Sequence, residues 1–124
     1  MGYYKPCEEL TRCHTLDDFW NNKEFEKWTK GYLEIAEETA YPLAECQVGY
    51  AYLEGIGVEK DLEKSFYWTK RAAEHGDRDG QFNLGWMYEK GLGVGMDVKE
   101  ALFWYEKAAA QEHDLAKEKL AELN

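Results

Sequence analysis

The sequence predicts an all-α fold, a short α-solenoid of helix pairs, and three observations predict it. Residues 44 to 79 recur at 80 to 115. Gly49, Tyr52, Gly55, Gly57, Val58, Asp61, Trp68, Ala72 and Ala73 return as Gly85, Tyr88, Gly91, Gly93, Val94, Asp97, Trp104, Ala108 and Ala109, each 36 positions later and with no insertion. A fixed period of roughly 20–50 residues marks stacked supersecondary units rather than one closed globule. Within a copy the apolar residues fall at helical spacing, as in Phe82, Leu84, Gly85 and Tyr88. Each copy also carries helix starts and stops at fixed places, with aspartates before the apolar runs and glycines behind them.

Taken in order, residues 1 to 14 show little helical signal. Thr15-Leu16-Asp17-Asp18 reads as a helix start. Leu16, Phe19, Trp20, Phe25, Trp28, Tyr32, Leu33, Ile35 and Ala36 supply the apolar face of one long or two short helices, with Asn21-Asn22 and Gly31 as candidate interruptions. Tyr32 and Ala36 stand 36 positions before Trp68 and Ala72, so residues 25 to 40 read as the second helix of a degenerate leading unit. Residues 1–41 are thus expected to form a divergent helical N-terminal cap. Repeat 1 spans 42–77. Pro42 suits a first helical turn, where its missing N–H costs nothing. That helix should run to about Glu54, followed by the loop Gly55-Ile56-Gly57-Val58. Asp61 then caps a helix from Leu62 to about His75, which Gly76 stops.

Repeat 2 spans 78–113. Asp77 caps a helix from Arg78 to Lys90, Gly91-Leu92-Gly93 breaks it, and Asp97 with Glu100 gives a capping-box pattern for a helix ending near Glu112. Residues 114–124 hold a last amphipathic helix with the stripe Leu115, Ala116, Leu120 and Leu123, suited to cap a stacked array. The whole, 1–124, is expected to be one domain. Gly49 and Gly85, lacking a Cβ, invite a close helix approach, met by Ala72-Ala73 and Ala108-Ala109. Trp68 and Trp104 are expected to fill the core beside them.

Composition narrows function. The formal net charge is −10, which disfavours nucleic acid and anionic membranes as partners and favours a basic protein segment. The same acids also serve simply to keep a solenoid soluble. No apolar run approaches the roughly 20 residues that cross a bilayer, and Met1-Gly2-Tyr3-Tyr4-Lys5-Pro6 has no apolar leader core. Three cysteines, Cys7, Cys13 and Cys46, suit a reducing compartment. A cytoplasmic location is the expectation, with secretion open if a leader has been removed, and a Cys7–Cys13 bridge also open.

Signs of chemistry are faint. His75 and His113 lie near the ends of second helices, where the helix dipole favours a cationic imidazole. Cys7, Cys13 and His14 lack a matching second half for a zinc site. Gly91-Leu92-Gly93-Val94-Gly95 follows no strand and precedes no Lys-Ser pair, so it is a turn rather than a phosphate loop. Glu8-Glu9, Asp17-Asp18 and Glu37-Glu38 read as solvated helix faces. No catalytic constellation, metal site or cofactor is expected.

The string Val48-Gly49-Tyr50-Ala51-Tyr52-Leu53-Glu54-Gly55-Ile56-Gly57-Val58-Glu59-Lys60-Asp61, followed by Lys64, Tyr67, Trp68 and Ala72-Ala73, resembles the Sel-one-like repeat. The second copy resembles it more closely, through Leu84-Gly85-Trp86-Met87-Tyr88-Glu89-Lys90-Gly91-Leu92-Gly93-Val94, Asp97, Lys99-Glu100-Ala101, Trp104-Tyr105 and Lys107-Ala108-Ala109. Gly80 and Ser65 stand where that pattern has alanine, and Glu112 where it has glycine. The resemblance implies a right-handed superhelix of antiparallel helix pairs, related to tetratricopeptide repeats, acting as an adaptor. Intact alanine pairs and a cysteine-free second copy set the chain apart from the cysteine-rich branch and the β-lactam-related activity linked to it.

In such solenoids the first helix of each pair lines the concave face. Leu43, Cys46, Tyr50, Leu53 and Glu54 would face outward there in the first unit, and Asp79, Phe82, Trp86, Glu89 and Lys90 in the second. The expected partner-binding residues are Tyr50, Leu53, Glu54, Asp79, Phe82, Trp86, Glu89 and Lys90, with aromatic anchors and acids selecting a basic peptide or helix. The alternative is an acidic inhibitor that blocks a basic enzyme site by charge mimicry. A short array also has open ends, so a monomer or a weak homodimer is expected.

Overall fold

The computed structural model describes residues 8–123. Among them every regular element is helical: α1 (Glu8–His14), α2 (Asp17–Asn21), α3 (Phe25–Thr39), α4 (Pro42–Glu54), α5 (Leu62–Glu74), α6 (Arg78–Lys90), α7 (Val98–Ala110) and α8 (Asp114–Leu123). Each helix from α3 onward packs on the next in the chain. α1 and α2 lie on α3, and α4 also touches α6. This nearest-neighbour order is that of a solenoid. No helix among the described residues is long and apolar enough to cross a membrane.

The caps follow the aspartates. Asp61 accepts from the Lys64 N–H at 3.0 Å, Asp77 from the Gly80 N–H at 2.7 Å, and Asp97 from the Glu100 N–H at 3.2 Å. The reciprocal half of the capping box does not form. The Asp97 N–H instead donates to the Tyr88 carbonyl at 2.9 Å, as the Asp61 N–H donates to Tyr52 at 3.0 Å. Those bonds close the loop between the two helices of each unit.

The glycine notches hold the pairs together. A Cβ on Gly85 would lie 2.8 Å from Tyr105 Cδ1 and 3.1 Å from the Ala101 carbonyl. On Gly49 it would strike Thr69 Oγ1 and sit 3.1 Å from the Thr69 nitrogen. Trp68 and Trp104 are only half-buried, contrary to the expectation that they fill the core. The next residues, Thr69 and Tyr105, face the notch and are buried. Trp68 packs against the first core cluster from its edge, and each tryptophan meets an exposed neighbour edge-on, Trp68 on Tyr67 at 5.3 Å and Trp104 on Phe103 at 5.1 Å.

The loop glycines do a second job. Gly57 (φ 67°) and Gly93 (φ 71°) adopt left-handed backbone angles, and a Cβ on either would collide with a carbonyl of the preceding second helix, Phe25 for Gly57 and Leu62 for Gly93. α3 therefore receives the following loop as α5 does. The unit ends agree: Ala40, Gly76 and Glu112, spaced 36 apart, all have positive φ, at 54°, 96° and 63°. The leading unit thus keeps the repeat frame although its sequence has drifted.

The N-terminal region corrects two expectations. Residues with little helical signal form α1, whose Cys13 joins the first core cluster with Leu16, Trp28, Tyr32, Ile35, Ala36, Ala44, Val48 and Ala51. Tertiary burial there outweighs weak local propensity. Asn22 does close α2, but Gly31 does not interrupt α3: it leaves room for Leu16, whose Cδ1 would be 2.9 Å from an added Cβ. Cys7, and with it a Cys7–Cys13 bridge, lies outside the described residues.

One fully buried carboxylate was not legible beforehand. Glu45 is 0% exposed, and its oxygens meet Arg71 Nε at 2.9 Å and His75 Nδ1 at 2.6 Å. One repeat later the same places hold Gln81 and Gln111, and Gln111 Nε2 donates to Gln81 Oε1 at 2.9 Å. An ionic clamp in the first unit is thus an amide clamp in the second. In the last pair Glu89 accepts from the Tyr105 hydroxyl at 2.7 Å and pairs with Lys119 and Lys90 at 3.3 Å. Burial pushes the Glu89 carboxyl up, but the Tyr105, Lys90 and Lys119 donors outweigh it, and its pKa falls below the usual value.

Four sets of variants test this account. Removing both bases, as Arg71→Met with His75→Ala, strands the buried Glu45 charge and should cost about 3 kcal/mol in urea unfolding. Glu45→Gln with His75→Gln, copying the second unit, should cost no more than about 1–2 kcal/mol. Ala40→Gly should stabilise and Gly76→Ala destabilise, each by about 1 kcal/mol, because only glycine adopts the left-handed angle without a Cβ clash. Glu89 has its pKa lowered by folding, so its stabilisation is present above the usual carboxylate range and is lost as pH falls through its folded-state pKa. Glu89→Gln should therefore lower Tm at pH 7, with the gap to the parent closing below about pH 4.

Candidate functional site

The first helices of the two units, α4 and α6, leave a groove between them that runs to the start of α8. Its volume is about 410 Å³. Leu43, Cys46, Gln47 and Tyr50 come from α4, Asp77 from the cap of α6, and Asp79, Phe82 and Asn83 from α6. His113 and Leu115 close the far end. These α4 residues share one helical face, at spacings of three and four. Gln47 and Asn83 are repeat equivalents, as are Cys46 and Phe82. No lysine or arginine lines the groove, while Asp77 and Asp79 do.

Local contacts fix its walls. His113 does not end a second helix as expected; it starts α8, where its Nδ1 accepts the Ala116 N–H at 3.3 Å. Its Nε2–H then points to Asp79 Oδ1 at 3.1 Å, and its ring stacks on Phe82 at 4.7 Å with an interplanar angle of 11°. Burial, then the neighbouring Asp77, pushes the Cys46 thiol well above its usual pKa. Burial likewise raises Asp77, against the Gly80 N–H and the Cys46 thiol that hold its charge. The thiol therefore stays protonated, hydrogen-bonded to Asp77.

Of the residues expected to bind a partner, the groove brings together Tyr50, Asp79 and Phe82. Leu53, Glu54, Trp86, Glu89 and Lys90 are not in its lining. Leu53 and Trp86 are half-buried, and Glu54 is exposed. Glu89 is held by Tyr105 and Lys119, and Lys90 pairs with Glu89. The groove adds Gln47, Asn83, Asp77, His113 and Leu115. Equal repeat position was the signal for Gln47 and Asn83; for His113 and Leu115 there was none, since only the turn of α8 toward α6 brings them in.

A second hollow, of about 480 Å³, adjoins the first through Gln47 and Tyr50. Asp17, Trp20 and Asn21 of α2 and Trp28 and Tyr32 of α3 complete it. Trp20 and Tyr50 stand at its rim, 40% and 37% exposed, while Trp28 and Tyr32 are buried.

The family model for the Sel1 repeat matches residues 42–77 and 78–113. No curated protein gives a match. Among solved structures, a Sel1 repeat protein from Oxalobacter formigenes is 38% identical at a TM-score of 0.82, over 90% of this chain and 44% of that one. The protective antigen c5321 of uropathogenic Escherichia coli strains, described as displaying an SLR fold, is 28% identical at a TM-score of 0.84, over 93% of this chain and 25% of that one. The chain thus spans less than half the length of either protein. Helicobacter pylori cysteine rich protein B, 24% identical at a TM-score of 0.76 over 90% of this chain and 89% of that one, shares the fold. Sel1 repeat proteins are generally protein-interaction modules and typically non-enzymatic. With its two matched repeats and its helix pairs stacked in their frame, this chain belongs to the Sel1 repeat family.

Proposed function

We propose that the chain is a non-enzymatic adaptor that holds a peptide with a basic segment in the groove between α4, α6 and α8. The observation that carries this reading is the groove's lining. Leu43, Tyr50, Phe82 and Leu115 offer apolar and aromatic surface, Asp77 and Asp79 offer negative charge, and no lysine or arginine competes. Gln47 and Asn83, one repeat apart, carry amides able to donate to and accept from a peptide main chain. Aromatic anchors supply affinity at such surfaces, and charge supplies selection of the partner. The protonated Cys46 thiol and the doubly engaged His113 ring support a binding rather than a catalytic role.

Selection of a random peptide display library on the immobilised protein tests this. Enriched peptides are expected to combine an aromatic or aliphatic residue with nearby lysine or arginine. Tyr50→Ala should weaken a selected peptide about tenfold or more, Asp79→Lys should abolish the basic preference, and Trp86→Ala should leave affinity unchanged. Binding that survives Tyr50→Ala yet collapses with salt would replace this reading with the acidic-inhibitor one.

A further inference from the structure

The aromatic hollow between α2, α3 and α4 joins two rings of the first core cluster, Trp28 and Tyr32, to two that stay partly open, Trp20 and Tyr50. α2 contributes no buried residue, yet it presents Trp20 at 40% exposure beside a buried pair, Trp28 and Tyr32. Trp20 and Trp28 have ring centroids 4.8 Å apart at 53°, and Trp28 and Tyr32 are 4.8 Å apart at 67°. Rings inclined in this way form a cup rather than a flat stack. Tyr50 also lines it, and among the described residues Asp17 is the one charged residue in the lining. Lys27, next to Trp28 in the chain, lies over Phe19 at 5.8 Å and pairs with Glu24 at 2.8 Å, so it is engaged elsewhere.

A carboxylate beside several aromatic rings, with no lysine or arginine among the described residues of the lining, is the chemistry that recognises an organic ammonium. The ring faces attract the diffuse positive charge, the methyl or methylene groups gain apolar contact, and the carboxylate adds charge pairing. A bare metal ion would lose too much hydration in such a cup, and an anion would meet Asp17. We infer that the hollow formed by Trp20, Trp28, Tyr32, Tyr50 and Asp17 is a binding site for an alkylated ammonium group. Two sources carry that group, a free quaternary ammonium solute and a lysine side chain, methylated or not. The site stands apart from the peptide groove, although Tyr50 and Gln47 border both, and its test needs no peptide.

Titrations followed by the Trp20 indole N–H resonance decide the matter. The probes are choline, the acetyl-amide of trimethyllysine, the acetyl-amide of lysine, and 3,3-dimethylbutanol as the uncharged counterpart of choline, with sodium chloride holding ionic strength constant. Saturable binding of a cationic probe is expected, at least about tenfold tighter than the uncharged alcohol. Trp20→Leu and, independently, Tyr50→Leu should each weaken it severalfold or more, and Asp17→Asn less so. Trp20 is exposed on a helix without buried residues, so its variant should fold, which the unchanged Tm will show. A preference for choline assigns the site to a free solute, and a preference for the lysine derivatives assigns it to a side chain. Equal affinity for the uncharged alcohol, indifference to both rim variants, or no saturation up to about 100 mM would overturn the inference.

Discussion

The structure depends on how closely two helices of one unit can approach. At Gly49 and Gly85 the missing Cβ lets the backbone of the first helix settle on Thr69 and Tyr105 of the second. Nearest-neighbour arrays have no single large core to absorb a misfit, so each pair must close on its own contacts. The loop glycines then set one unit on the next, Gly57 on the start of α3 and Gly93 on the start of α5. Local closeness thus fixes the stacking, and the stacking fixes which faces of α4 and α6 look at each other across the groove.

Inside that frame the buried polar residues are particular to each unit. Glu45, Arg71 and His75 tie α4 to α5 by charge, while Gln81 and Gln111 tie α6 to α7 without it. Both solutions satisfy every buried polar side chain among the described residues. They differ in what they tolerate. A neutral pair survives the loss of a proton balance that a buried carboxylate does not. The groove shows the same division of labour. Its capping residue Asp77 serves the helix, the thiol of Cys46 and the wall of the groove at once.

The repeat, the caps and the helix ends were legible because they rest on local chemistry that recurs: aspartate before a helix, glycine after it, a notch at a fixed register. The N-terminal third was not, because α1 and α2 are held by Cys13 and Leu16 inserting beside α3 rather than by their own propensity. Trp68 and Trp104 misled since large aromatics read as core, whereas the notch admits only the residue that follows each. The groove was half legible. Tyr50, Asp79 and Phe82 follow from the face of a helix, but Trp86, Glu89 and Lys90 lie one turn too far along α6. The end wall of His113 and Leu115 depends on the direction in which α8 leaves, and no local pattern encodes that direction.

Two clusters of buried apolar side chains share no member, one centred on α1 to α4 and the other on α7 and α8, while Ala72, Ala73, Leu84 and Met87 of α5 and α6 are buried outside both. The groove borders both, through Leu43 on one side and Phe82 on the other. Anything seated there adds a strut between two ends that are otherwise joined through α5, α6 and the direct contact of α4 with α6. An occupied molecule would then open as one cooperative body where the empty one frays from either end, and grip on a guest would be inseparable from stiffness of the host.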